Sequence, residues 1–229
     1  MAVYERIWRR YEGTLTPLRW RAAVITKYAL AEAFSSRIFA AFYVLCLLPT
    51  TVGVFLVYLS HNVSLLEKVG LTSEFMGGLT AVFFQFLFGW QALPAFLVAV
   101  IVSPSLIAAD LSNNALSLYL SRPITRRDYV LGKMAVLAIL LSPITWMGGL
   151  LIFILQAYLE GDNWGFENWR IGMAYFVGHI TWIVVISLLT LAISAWVRFK
   201  PAARGALFGI IFILAGFAQA INAVTNTSI

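Results

Sequence analysis

Residues 38–59 read IFAAFYVLCLLPTTVGVFLVYL, twenty-two positions without a single charge. Coiled as an α-helix, such a run is about 33 Å long, enough to cross the roughly 30 Å hydrocarbon core of a bilayer. Pro49 near its middle predicts a kink. Working outward, residues 75–109 are uncharged for 35 positions and hold Gly77, Gly78, Pro94 and Pro104. That length exceeds one straight span. It reads as a spanning helix with irregular or interfacial ends, or as two half-helices meeting near Pro94. Residues 134–159 with Pro143, residues 171–197 and residues 205–221 are three further apolar runs. The expected fold class is therefore all-α, a polytopic membrane protein with about five transmembrane helices.

Composition agrees. Hydrophobic residues make up 61% of the 229 and charged residues 11%, against roughly 25% charged in a soluble domain. A soluble chain of this length could not cover its surface with so few charges, so lipid must be the solvent for most side chains. The single cysteine, Cys46, lies inside an apolar run and excludes a disulfide framework or a cysteine-based metal site. No metal site is expected. The net charge of +6 does not point to nucleic acid, because the basic residues sit at the ends of apolar runs rather than along one soluble face.

Orientation follows from those ends. Of the sixteen Lys and Arg residues, seven precede residue 38, four lie in 110–133 and three in 198–204, leaving only Lys68 and Arg170 on the other side. Basic residues concentrate on the cytoplasmic side of membrane proteins. The N-terminus, the 110–133 loop and the 198–204 turn are thus expected in the cytoplasm. Residues 160–170 form an acidic, Trp-rich loop at the opposite headgroup level. No cleavable signal peptide is expected, since no apolar core interrupts the basic N-terminal residues. The chain divides into a cytoplasmic segment, 1–37, and a transmembrane domain, 38–229.

Catalytic patterns are missing. Gly132-Lys133 lacks the spacing of a phosphate loop, and no His-Glu-x-x-His or Ser-His-Asp set occurs. The chain is not expected to be an enzyme by itself. Carboxylates, which ion-driven transporters keep within the bilayer, fall well inside none of the runs. His179 is the only titratable group there, with Gln85, Gln91 and Gln156 as uncharged company. These four are candidate polar groups of a pathway; the simplest role for His179 is a hydrogen bond to a neighbouring helix.

Two cytoplasmic elements carry more information. In 18–37, LRWRAAVITKYALAEAFSSR, Leu18, Ala22, Ile25, Ala29 and Ala33 share one helical face while Arg19, Lys27, Glu32 and Arg37 occupy others. This predicts an amphipathic interfacial helix. In 108–133, AADLSNNALSLYLSRPITRRDYVLGK, Asp110 or Ser112 can cap a short helix that carries Leu111, Ala115 and Leu118 on one face. Pro123 ends it. Thr125 or Asp128 can start the next span, with Arg122, Arg126, Arg127 and Lys133 held at the membrane surface.

The run Ala-Ala-Asp, a Leu-rich helix and Ser-Arg-Pro-Ile-Thr-Arg-Arg-Asp-Tyr-Val-Leu-Gly-Lys resembles the permease subunits of ABC type-2 transporters. The resemblance takes in the basic helix before the first span, and its sharp part is residues 108–133. It implies an exporter permease in a bacterial inner (plasma) membrane, pairing with a second permease copy or homologue and binding two copies of a separate ABC ATPase. ATP and Mg would sit on those partners, with no cofactor in this chain. It further implies that Asp110, Leu111, Leu116, Leu118 and Tyr119 contact the ATPase, with the arginines on membrane lipid. Family members usually have six spans, against five here. A non-transporting membrane anchor or assembly protein is the alternative, and a neighbouring gene for an ATPase would discriminate. The topology has a direct test: a reporter fused after Glu160 reads external and one after Lys200 internal, and the reverse pair of readings contradicts it.

Overall fold

The computed structural model describes residues 21–62, 81–114, 125–161, 163–197 and 199–225. Within them the chain is helical. Helix α1 (Arg21–Phe34) precedes five segments long and apolar enough to cross a membrane. The first, Arg37–Ser60, consists of α2 (Arg37–Leu45) and α3 (Leu48–Ser60). The second, Ala81–Ser112, consists of α4 (Ala81–Leu106) and the short α5 (Ala108–Ser112). The third, Arg126–Glu160, consists of α6 (Arg126–Ile144) and α7 (Trp146–Glu160). After the one-turn α8 (Trp164–Glu167) come α9 (Trp169–Trp196) and α10 (Lys200–Thr225), the fourth and fifth.

The prolines mark where the spans bend, with one exception. Pro49 lies in the first turn of α3, directly after the break at Cys46 and Leu47. That position tolerates the missing N–H. Pro143 precedes the break at Thr145. There the Thr145 hydroxyl donates to the Leu141 carbonyl at 2.8 Å, and Ser142 donates to Ala138 at 2.7 Å. The Leu141 carbonyl also accepts from the Thr145 amide at 3.1 Å, so these hydroxyls add to the backbone bonds around the break, where hydrocarbon surroundings offer no other partner. Pro94 is the exception. It stands inside α4, which runs unbroken from Ala81 to Leu106. The second apolar run is therefore one helix that turns at Ile107, not two half-helices, and the count of spans stays at five.

Helices α4 and α9 form the centre of the bundle and share its largest contact, with α6 and α7 against them. Val98, Ala99, Leu137, Leu140, Leu141 and Ile144 are fully buried there. A second cluster, Val57, Phe84, Leu87, Ile152 and Tyr175, closes the far end. Helix α10 lies outermost and buries little beyond Ala203 and Leu207. Its Arg204 Nη2 donates to the Ile101 carbonyl at 3.3 Å.

The amphipathic helix forms as expected, and α1 buries Ile25, Thr26 and Ala29. Its inner face lies against α6, and Thr26 Oγ1 donates to the Gly132 carbonyl at 2.9 Å. Leu18 lies outside the described residues. Helix α1, residues 107–114 and 125–128 and the start of α10 lie at one end of the bundle, the basic end.

Candidate functional site at the basic end

The third span begins with a reciprocal cap. Thr125 accepts from the Asp128 amide at 3.2 Å, while Asp128 Oδ2 accepts from the Thr125 amide at 3.1 Å. Both residues named from the sequence share the cap, and two otherwise unpartnered amides are satisfied. Arg126 and Arg127 follow on the exposed side.

One turn further in, Tyr129 and Lys133 stand four residues apart on the same face of α6, both buried. Lys133 Nζ lies 2.9 Å from Asp110 Oδ2, and the Tyr129 hydroxyl donates to the same oxygen at 2.7 Å. The ammonium also sits 5.5 Å from the centre of the Tyr129 ring, within range of a cation–π attraction. The side chains of Lys133 and Asp110 are only 6% and 16% exposed, so most of their hydration has been exchanged for each other.

This arrangement corrects two sequence expectations. Lys133 does not lie on lipid headgroups with the arginines; it is buried against a carboxylate. Neither Asp110 nor Ser112 is the N-cap of a helix. Helix α5 starts at Ala108 with Ile107 as its cap, ends at Ser112, and is followed by Asn114 in the left-handed region at φ 52°. Asp110 stands inside α5 rather than ahead of it, and its Oδ2 is drawn to Lys133 and Tyr129. Leu111 is half-buried against the core. Leu116, Leu118, Tyr119 and Arg122 lie outside the described residues, as does most of the helix expected there.

Of the four pathway candidates only Gln91 and His179 come together, on either side of Tyr175. Gln91 is fully buried at the centre. Its Oε1 accepts from the Tyr175 hydroxyl, and its Nε2 donates to Thr50 Oγ1 at 2.8 Å. This polar knot ties α3, α4 and α9. It has room because Gly148 and Gly149 of α7 lie against Thr50 and the Tyr175 ring, where a Cβ would overlap them. His179 is fully buried beside it, with its ring 3.9 Å from that of Phe88. Its Nδ1 bonds the Tyr175 carbonyl of its own helix at 3.2 Å, not a neighbouring helix as expected, and Nε2 has no partner among the described residues. Gln156 donates to Glu160 at 3.0 Å, and His61 meets the same carboxylate oxygen at 3.0 Å. Gln85 is exposed on α4.

Sequence reasoning missed Thr26, Tyr129, Thr50 and Tyr175. The i, i+4 spacing of Tyr129 and Lys133 was visible, but nothing in it named Asp110 as their shared partner.

The sequence model of the family described as ABC-2 family transporter protein matches residues 23–228, nearly the whole chain. The chain belongs to the ABC-2 transporter family. It is a permease subunit of an ABC transporter, a membrane component without catalysis of its own. No curated protein matches it. In this ABC-2 permease the ion pair joins the end of the second span to the start of the third, and α1 rests on the same turn of α6.

Removing one member of a buried pair leaves the other charge without compensation. Lys133→Met is expected to destabilise the protein by about 3 kcal/mol, and adding Asp110→Leu to recover most of the loss. Thermal unfolding of the purified variants in detergent checks this; equal losses in single and double variants would contradict it.

Proposed function

We propose that this permease forms the translocation pathway of an ATP-driven exporter, and that its basic end faces the cytoplasm and receives two separate ATPase subunits. The membrane would be the plasma membrane of a bacterium, and a second permease copy or homologue would complete the pathway. ATP and Mg belong to the ATPases in this reading. The 14-to-2 division of Lys and Arg between the two ends of the spans supports the orientation.

One observation carries the coupling proposal. Asp110 and Lys133 close the base of the 111–132 segment, and α1 is docked on the same helix through Thr26 and Gly132. A push applied anywhere on the segment then reaches two spans and α1 together. A loop serving only as a topology signal would need positive charge and no such closure. Interfaces draw their free energy mainly from apolar burial, about 1.5–3 kcal/mol for each large side chain, while an exposed arginine near an anionic leaflet contributes about 1 kcal/mol. Leu116, Leu118 and Tyr119 are therefore the proposed contacts with the ATPase, and Arg122, Arg126 and Arg127 the proposed contacts with lipid. The alternative of a non-transporting anchor has no observation in its favour.

Co-purification of the ATPase and transport-coupled ATP hydrolysis test the proposal. Leu118→Asp and Tyr119→Asp are expected to lose both by tenfold or more, equivalent to about 1.4 kcal/mol, whereas Arg126→Ala stays near the parent. Aspartate variants that keep both partner and coupling would reduce the loop to a topology signal.

A further inference from the structure

At the end of the bundle opposite the ion pair, a groove of about 340 Å³ lies between residues of α4 and α9. Phe84, Phe88, Ala174 and Tyr175 line it together with Gln85 and Arg170. We propose that this groove binds one anionic glycerophospholipid, the phosphate diester on Arg170 and Gln85 and the first carbons of an acyl chain between Phe84, Phe88 and Ala174.

Three observations identify the occupant. Arg170 is the second residue of α9, directly after Trp169 and close to Trp164 of α8. Indole rings favour the headgroup level, which sets the guanidinium at the depth of lipid phosphates. From Arg170 to Tyr175 the helix rises about 7.5 Å, so the groove descends from that level into the acyl region. Its lining is otherwise apolar, and Gln85 and Ala174 are exposed on its open side, where lipid has access. Arg170 is itself exposed, and no described carboxylate stands within ion-pair distance of it. An arginine fork matches two phosphate oxygens at once. An uncharged apolar occupant would leave that charge unanswered, and a wholly soluble anion would leave the apolar walls in contact with water. A lipid with net negative charge answers both.

The test uses the full-length permease reconstituted in vesicles with phosphatidylglycerol or phosphatidylcholine analogues that carry a diazirine on the upper acyl chain. After illumination, mass spectrometry reads labelling of the α4 and α9 peptides. The phosphatidylglycerol probe is expected to label Phe84 or Phe88 and the 170–175 stretch more strongly than the phosphatidylcholine probe. Arg170→Gln is expected to lower its labelling about fivefold, while Arg170→Lys stays within about twofold of the parent. Ala174→Trp, which fills the groove from its exposed side, is expected to abolish labelling by both probes. Both positions face outward, and an unchanged thermal midpoint shows that the variants are folded. Equal labelling by the two probes, or labelling indifferent to both Arg170→Gln and Ala174→Trp, overturns the proposal. So does loss of labelling when two permease copies are cross-linked, which would assign the groove to a second copy.

Discussion

A buried ammonium at the foot of a membrane span must find an opposite charge, and Lys133 finds Asp110 across the loop that separates two spans. Transfer of either charge alone from water costs several kcal/mol, and their attraction offsets this only when the remaining hydrogen-bonding capacity is used. Tyr129 uses part of it, by donating to the shared carboxylate oxygen. The pair is weak as a source of stability and strong as a constraint on position. A shift of one helix by a single turn would separate the two charges inside an apolar boundary. The end of α4, helix α5 and the first turns of α6 are thereby held in one register.

The rest of the bundle is consistent with that register. Tyr43 of α2 donates to the Leu140 carbonyl of α6 at 2.8 Å, and Ser194 of α9 donates to the Ser103 carbonyl of α4 at 2.9 Å. The Gln91, Tyr175 and Thr50 knot fixes the other half. Between these polar ties the contact is apolar, aliphatic around Leu137 and Leu141 and aromatic around Phe84 and Phe153, and no apolar contact is left unsatisfied by a change of register in the way a polar group is. Helices in membranes are positioned by small residues and by hydrogen bonds rather than by exclusion from water. Gly148 and Gly149 supply the first device and the knot the second.

Much of the architecture was legible in the sequence because the bilayer imposes its length on every span. The uncharged run 38–59 and its three companions near residues 134, 171 and 205 appear as spans, and the start of the third at Thr125 and Asp128 appears as a cap. Helix α1 shows the expected face through Ile25 and Ala29. The continuity of α4 through Pro94 was not legible, since a proline reports only its own lost bond and not the neighbours that compensate. Nor was the inward turn of Lys133. Its position in a basic loop matched a lipid-facing arginine, and only the fold brings Asp110, twenty-three positions earlier in the chain, within 2.9 Å of it. Long-range pairs of this kind leave no periodicity to read. The same holds for Gln91 and Tyr175, separated by 84 positions.

The central claim is that α1, α5 and the start of α6 form one body at the basic end. Spin labels at Lys27→Cys and Ser112→Cys, in a Cys46→Ala background in lipid nanodiscs, measure it by pulsed electron resonance. A single narrow distance distribution that splits or broadens on Lys133→Met is the result this account predicts. A parent distribution already broad or bimodal, or one unchanged by Lys133→Met, would contradict it.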